Sequence, residues 1–152
     1  MKVEPLSGFA ASPEALVCDP VMGTVRVLVA DDQEAIRKRV SSIIKSNPNL
    51  EVCAEASNGL EAIQKVQESN PDLVVLDITM PALNGLEAAR KIKQIAPETP
   101  ILILTVHKSK QLVEEAKMIG VHGYVTKAEA GQNLLKAIDA VLQNETFFPA
   151  NL

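Results

Sequence analysis

The chain has 152 residues, 47% of them hydrophobic and 3% aromatic, and a formal charge of −4. That is enough for a full core, but it supplies no positive field for holding nucleic acid, so DNA binding by this chain alone is not expected. No apolar run reaches the ~18 residues of a membrane span, the N-terminus makes a poor signal peptide, and two cysteines lack metal-like spacing, which together predict a cytoplasmic protein.

Residues 1–24 carry Pro5, Gly8, Pro13, Pro20 and Gly23 without a sustained period and read as a mobile or loosely docked arm. From Val25 onward, strand-like and helix-like segments alternate. VRVLVA (25–30) is a strand, followed by a helix over 34–46 with Ile36, Val40, Ile43 and Ile44 on one face. EVCAEA (51–56) is the second strand, in which Cys53 reads as a buried thiol, and 59–69 is a helix with an i,i+4 Glu61–Lys65 pair. DLVVLD (72–77) is the third strand, whose four apolar residues in a row predict burial on both faces. A helix over 85–96 follows, turning Leu86, Ala89, Ile92 and Ala96 inward. PILILT (100–105) is the fourth strand, 110–120 a helix closed by Gly120, GYVT (123–126) the fifth strand, and 133–144 the last helix.

Five βα units predict an open parallel sheet covered by helices on both faces, since five are too few for the usual eight-stranded barrel. With right-handed crossovers, the common solution is a flavodoxin-like doubly wound (βα)5 sheet of strand order 2-1-3-4-5. Its ligands bind at the carboxyl ends of the first and third strands. Asp77 lies at that switch point. A charge at the tip of a core strand is costly unless something pairs with it.

The other strand ends extend the pattern. Asp31 and Asp32 close the first strand, Thr105 closes the fourth, and Lys127 follows the fifth. Each has a plain structural reading: the acidic pair could cap a helix, Thr105 could be an ordinary β-branched strand residue, and Lys127 a solvated loop charge. Yet all five fall on the same rim, where independent accidents would scatter. Neighbouring carboxylates need a shared proton or a cation. Hard oxygen ligands without His or Cys select Mg²⁺ or a similar ion such as Mn²⁺. The set suits phosphoryl transfer onto Asp77 as nucleophile.

The segments VLVADDQ (27–33), EASNGLEAI (55–63), DLVVLDITMPALNGLE (72–87), ILILT (101–105) and GVHGYVTK (120–127) resemble the receiver domain of two-component response regulators over about residues 25–145. The resemblance implies that Asp77 accepts a phosphoryl group from a sensor histidine kinase. It implies Mg²⁺ held by Asp32, Asp77 and the main-chain carbonyl of Thr79, with Asp31 assisting through water. It further implies that Thr105 bonds the phosphoryl oxygen, that Lys127 pairs with it, and that Thr105 and Tyr124 form a switch altering the surface of the fourth helix, fifth strand and fifth helix. A half-buried edge aromatic is the plain reading of Tyr124. Thr79 and His107 occupy positions that tune phosphoryl lifetime in that family, while His122 reads as structural. A homodimer is compatible with the resemblance.

Some positions depart from the family pattern. Ala128 stands where many receivers have proline, and Val106 where a small residue is usual. The texture of GYVTKAEAGQNLLKAIDAVLQNETFF is that of receivers of LuxR-type DNA-binding regulators, with residues 146–152 a tail or the start of a linker. Two readings stay open: a stand-alone receiver acting through protein–protein contacts, or the receiver portion of a longer regulator that binds DNA through a separate output domain. An aspartyl-nucleophile phosphatase is disfavoured because Thr79 stands where such enzymes carry a second Asp.

Overall fold

The structure, a computed structural model, describes residues 24–150. The expected arm therefore lies outside the described residues except for Thr24, whose hydroxyl donates to Glu51 Oε1 at 2.5 Å.

Five parallel strands, β1 (Val25–Ala30), β2 (Leu50–Ala56), β3 (Leu73–Leu76), β4 (Ile101–Thr105) and β5 (Gly123–Thr126), form one sheet in the order β2-β1-β3-β4-β5. The helices are α1 (Glu34–Lys45), α2 (Gly59–Ser69), α3 (Gly85–Ile95), α4 (Lys110–Ile119) and α5 (Ala130–Leu142). The flavodoxin-like order expected from the sequence is the one observed.

Strand residues alternate between two cores because successive side chains point to opposite faces. Leu28, Val74, Leu76, Ile101 and Ile103 join Ala62, Ala89, Ile92 and Ala116 on one side of the sheet. Val27, Val29, Leu73, Val75 and Leu102 meet Val40, Ile44, Leu134 and Ile138 on the other. The run Leu73–Leu76 is apolar without a break because its residues serve both cores.

Several details differ from the sequence expectation. The last helix begins at Ala130, not 133, because a 3₁₀ turn over Lys127–Glu129 feeds directly into it. It stops at Leu142, short of the expected end, and Asn144 follows with a left-handed φ of 65°. Glu61 turns back to accept from the amide and hydroxyl of Ser57, at 2.6 and 2.9 Å, while the Asn58 side chain accepts from the Glu61 amide. This reciprocal N-terminal cap takes the carboxylate that was expected to pair with Lys65, and hydrogen bonding to Ser57 lowers its pKa. Cys53 is half-buried, not buried: β2 is an edge strand, and its pairing with β1 shifts register there.

The segment after α5 returns to the sheet. Phe147 bridges Gly123 in parallel fashion, so the outer edge of β5 is covered. Among the described residues no helix is long and apolar enough to cross a membrane.

Candidate functional site

Register assembles the site. Ala30 of β1 pairs with Leu76 of β3, so the next residues, Asp31 and Asp77, emerge side by side. Thr105 of β4 pairs with Thr126 of β5, which brings Lys127 out beside them. Asp31 and Asp77 are both buried, whereas Asp32 is exposed. One carboxylate oxygen from each of Asp31, Asp32 and Asp77 lies within 4.8 Å of the others.

The cost of burying Asp77 is met in two ways. The amide of Ile78 donates to its Oδ1 at 2.8 Å, and Lys127 Nζ donates to its Oδ2 at 3.2 Å. The same ammonium lies 2.5 Å from Asp31 Oδ2. Asp31 Oδ1 accepts from the Gln33 amide at 2.9 Å, and its carbonyl from Arg37 Nη1 at 2.7 Å. Lys127 is thus the hinge of a charge network, not a solvated loop residue.

Two cations would suit this cluster better than one. Burial pushes the Asp77 carboxyl above its ordinary pKa; Lys127 opposes that, and the neighbouring Asp31 adds to it. Burial also works to lower the Lys127 pKa, but the bond to Asp31 and the charges of Asp77 and Asp31 outweigh it and raise the ammonium's pKa. An all-oxygen donor set with an excess of negative charge is the kind that fits Mg²⁺.

The cleft over Asp77 has a volume of about 310 Å³, with Asp32, Thr79, Val106, His107 and Lys127 in its wall. Thr79 Oγ1 and His107 Nε2 are 2.8 Å apart across its mouth. Val106 is 66% exposed at this rim, so its bulk stands largely in solvent. The His107 amide donates to Thr105 Oγ1 at 3.3 Å, and the Tyr124 hydroxyl donates to the His107 carbonyl at 2.8 Å. Tyr124 has no exposed surface, which replaces the half-buried reading, and burial pushes its phenol up to about 12. His122 lies apart from the cleft. Its Nδ1 accepts from the Ile101 amide at 3.4 Å, and burial lowers its pKa. Among the described residues no peptide bond is cis, so Lys127–Ala128 is trans.

Two features of the site were missed in the sequence. Both Asn-Gly pairs, 58–59 and 84–85, start helices: each Asn side chain accepts from the amide three residues on, at 2.8 and 3.0 Å. Each Gly then permits a close approach. A Cβ on Gly85 would sit 1.8 Å from the Asp77 carbonyl oxygen, and one on Gly59 would sit 2.1 Å from that of Leu83. The recurrence of Asn-Gly at two helix starts was the available signal.

The family model for the response regulator receiver domain matches residues 27–139. The transcriptional regulatory protein LnrK of Bacillus subtilis is 34% identical over 128 residues, spanning 84% of this chain and 58% of that protein. The oxygen regulatory protein NreC of Staphylococcus epidermidis is 36% identical over 129 residues, 84% of this chain and 59% of that protein. The chain therefore spans somewhat over half the length of these relatives. A LuxR-family two-component response regulator from Aurantimonas superposes with a TM-score of 0.79 at 35% identity, covering 82% of this chain and 89% of that one.

Proposed function

The chain belongs to the response regulator receiver domain family, and on that premise we propose that Asp77 accepts a phosphoryl group from a sensor histidine kinase. The observation that carries this reading is the placement of the Lys127 ammonium between Asp31 and Asp77, inside a cluster of three carboxylates. In the reaction, an Asp77 carboxylate oxygen attacks the phosphorus of the phosphohistidine. The P–N bond breaks, its electron pair and a proton go to the imidazole, and an acyl phosphate remains on Asp77.

Each residue has a task that follows from charge. Phosphorylation replaces the single negative charge of the Asp77 carboxylate by the ~1.5–2 charges of a phosphate, carried further out at a buried point, and Lys127, already 3.2 Å from the carboxylate, partly balances the excess. The Thr105 hydroxyl turns its proton toward a phosphoryl oxygen. Mg²⁺ would be held by Asp32, Asp77 and the Thr79 carbonyl, with Asp31 acting through water, and when bound it supplies charge neutralisation for the incoming phosphoryl group. Mn²⁺ has the same preference for oxygen and would substitute. Slow loss of phosphate by the protein's own turnover is expected, with Thr79 and His107 at the cleft mouth setting its rate.

The output we assign is transcription control. The names of LnrK and the Aurantimonas regulator support it. With a net charge of −4 and the site on an acidic rim, DNA contact would fall to another domain, joined or recruited. The receiver's contribution is its α4–β5–α5 surface, altered through Thr105 and Tyr124. The test is intact-protein mass after incubation with acetyl phosphate and Mg²⁺. One phosphoryl group is expected on the wild type and none on Asp77→Asn; equal labelling of both would overturn the reading.

A further inference from the structure

The segment after α5 touches the sheet at the residue that the cleft also holds. The Tyr124 amide donates to the Phe147 carbonyl at 2.8 Å, and the Phe147 amide donates to the His122 carbonyl at 3.0 Å. Phe148 packs against the core cluster that contains Tyr124, and Lys117 of α4 stands 5.1 Å from its ring centroid. A groove of about 380 Å³ lies beside this segment, with Tyr124, Thr126, Phe147 and Phe148 in its wall. On the inner side, the Tyr124 hydroxyl is bonded to the His107 carbonyl and the His107 amide to Thr105 Oγ1. Two bonded steps therefore join Phe147 to His107 in the wall of the Asp77 cleft, and a third reaches Thr105.

The hydroxyl of Thr105 fixes the sign of the coupling. It accepts from His107 through a lone pair, and its own proton stays available for another acceptor. A phosphoryl oxygen on Asp77 can take that proton without breaking the bond to His107, and a hydroxyl that donates is a stronger acceptor. The buried arrangement of Tyr124 is thus compatible with phosphate and strengthened by it. A Tyr124 ring swung out of the core would have to enter the groove that Phe147 and Phe148 border.

We propose that Phe147 and Phe148 form a clasp that holds Tyr124 in its buried position, so that docking of this segment and phosphoryl occupancy of Asp77 reinforce one another. The coupling rests on the reading of Asp77 as phosphoacceptor; the holding of Tyr124 does not. By reciprocity, each event favours the other by the same factor.

The chain contains one tyrosine and no tryptophan, so tyrosine fluorescence reports Tyr124 alone. The test compares wild type, Phe148→Ala and the milder Lys117→Gln in the whole chain, by acrylamide quenching and by rate of labelling with acetyl phosphate and Mg²⁺. Quenching of Tyr124 is expected to rise about 5-fold or more in Phe148→Ala, and less in Lys117→Gln, with labelling slowed in the same order. Unchanged quenching in both folded variants would overturn the clasp. Raised quenching with labelling at the wild-type rate would overturn the coupling. Absence of labelling in the wild type would instead refute the Asp77 reading, while the quenching comparison still decides whether the segment holds Tyr124. Should Phe148→Ala fail to fold, Lys117→Gln decides alone.

Discussion

Lys127 stands between Asp31 and Asp77, 2.5 Å from one carboxylate and 3.2 Å from the other, and makes the bond that lets Asp77 end a core strand. Burial holds Asp77 above its ordinary pKa, and because Lys127 is shared with Asp31 its opposing charge does not cancel that effect.

Stability should therefore fall as pH rises through the Asp77 titration. A carboxyl whose folded pKa is raised binds its proton more tightly in the folded state, so its contribution is full below the ordinary carboxylate range and is lost above the raised value. Lys127 is raised as well, so its contribution is full at neutral pH and lost only in strong alkali. Asp77→Asn removes the repulsion with Asp31, and without added metal it should melt a few degrees higher than wild type at neutral pH. Thermal melts from acid to neutral pH test this; a variant that melts lower at neutral pH would contradict it.

Mg²⁺ should stabilise the wild type, because it binds a site that only the folded chain assembles. At ten times the dissociation constant the gain is about 1.4 kcal/mol. Melts across a Mg²⁺ titration should rise in wild type and stay nearly flat in Asp32→Asn. An equal rise in both would mean that the ion binds elsewhere.

Gly85→Ala should damage both fold and site. The added Cβ would fall 1.8 Å from the Asp77 carbonyl oxygen, a backbone atom that cannot give way cheaply. A loss of more than ~2 kcal/mol in urea denaturation is expected, together with slower labelling. Wild-type stability would mean that the start of α3 moves more freely than its Gly85 amide bond to the Ile78 carbonyl, at 2.8 Å, implies.

Much of this site is legible in the sequence, and the reason is topological. Leu73–Leu76 reads as a strand covered on both faces, and the crossover rule then carries Asp31, Asp77, Thr105 and Lys127 to one rim before any contact is known. Features that depend on which of two partners wins are not legible. Glu61 has Lys65 one turn away and Ser57 before the helix, and only the folded backbone presents the Ser57 amide to it. Phe147 is apolar near the end of the sequence, and no periodicity predicts that it lies along β5. Cys53 reads as core because its neighbours are apolar, but its place on an edge strand leaves it half-buried.

His107→Ala should shorten the life of the acyl phosphate. Its ring and the Thr79 hydroxyl, 2.8 Å apart, stand together in the cleft wall where they would hinder water approaching the phosphoryl group, whereas its backbone bonds to Thr105 and Tyr124 survive the substitution. Dephosphorylation followed by mass should quicken several-fold with Tyr124 quenching unchanged. A slower loss would mean that the imidazole assists water instead of excluding it.

The most direct test of the central claim is to locate the phosphoryl group. After labelling with acetyl phosphate and Mg²⁺, borohydride reduction converts an aspartyl phosphate to homoserine, and peptide mass spectrometry identifies the position. Homoserine at position 77 and at no other is the predicted result. Homoserine at position 31 or 32, or a phosphoryl adduct that resists reduction, would contradict it.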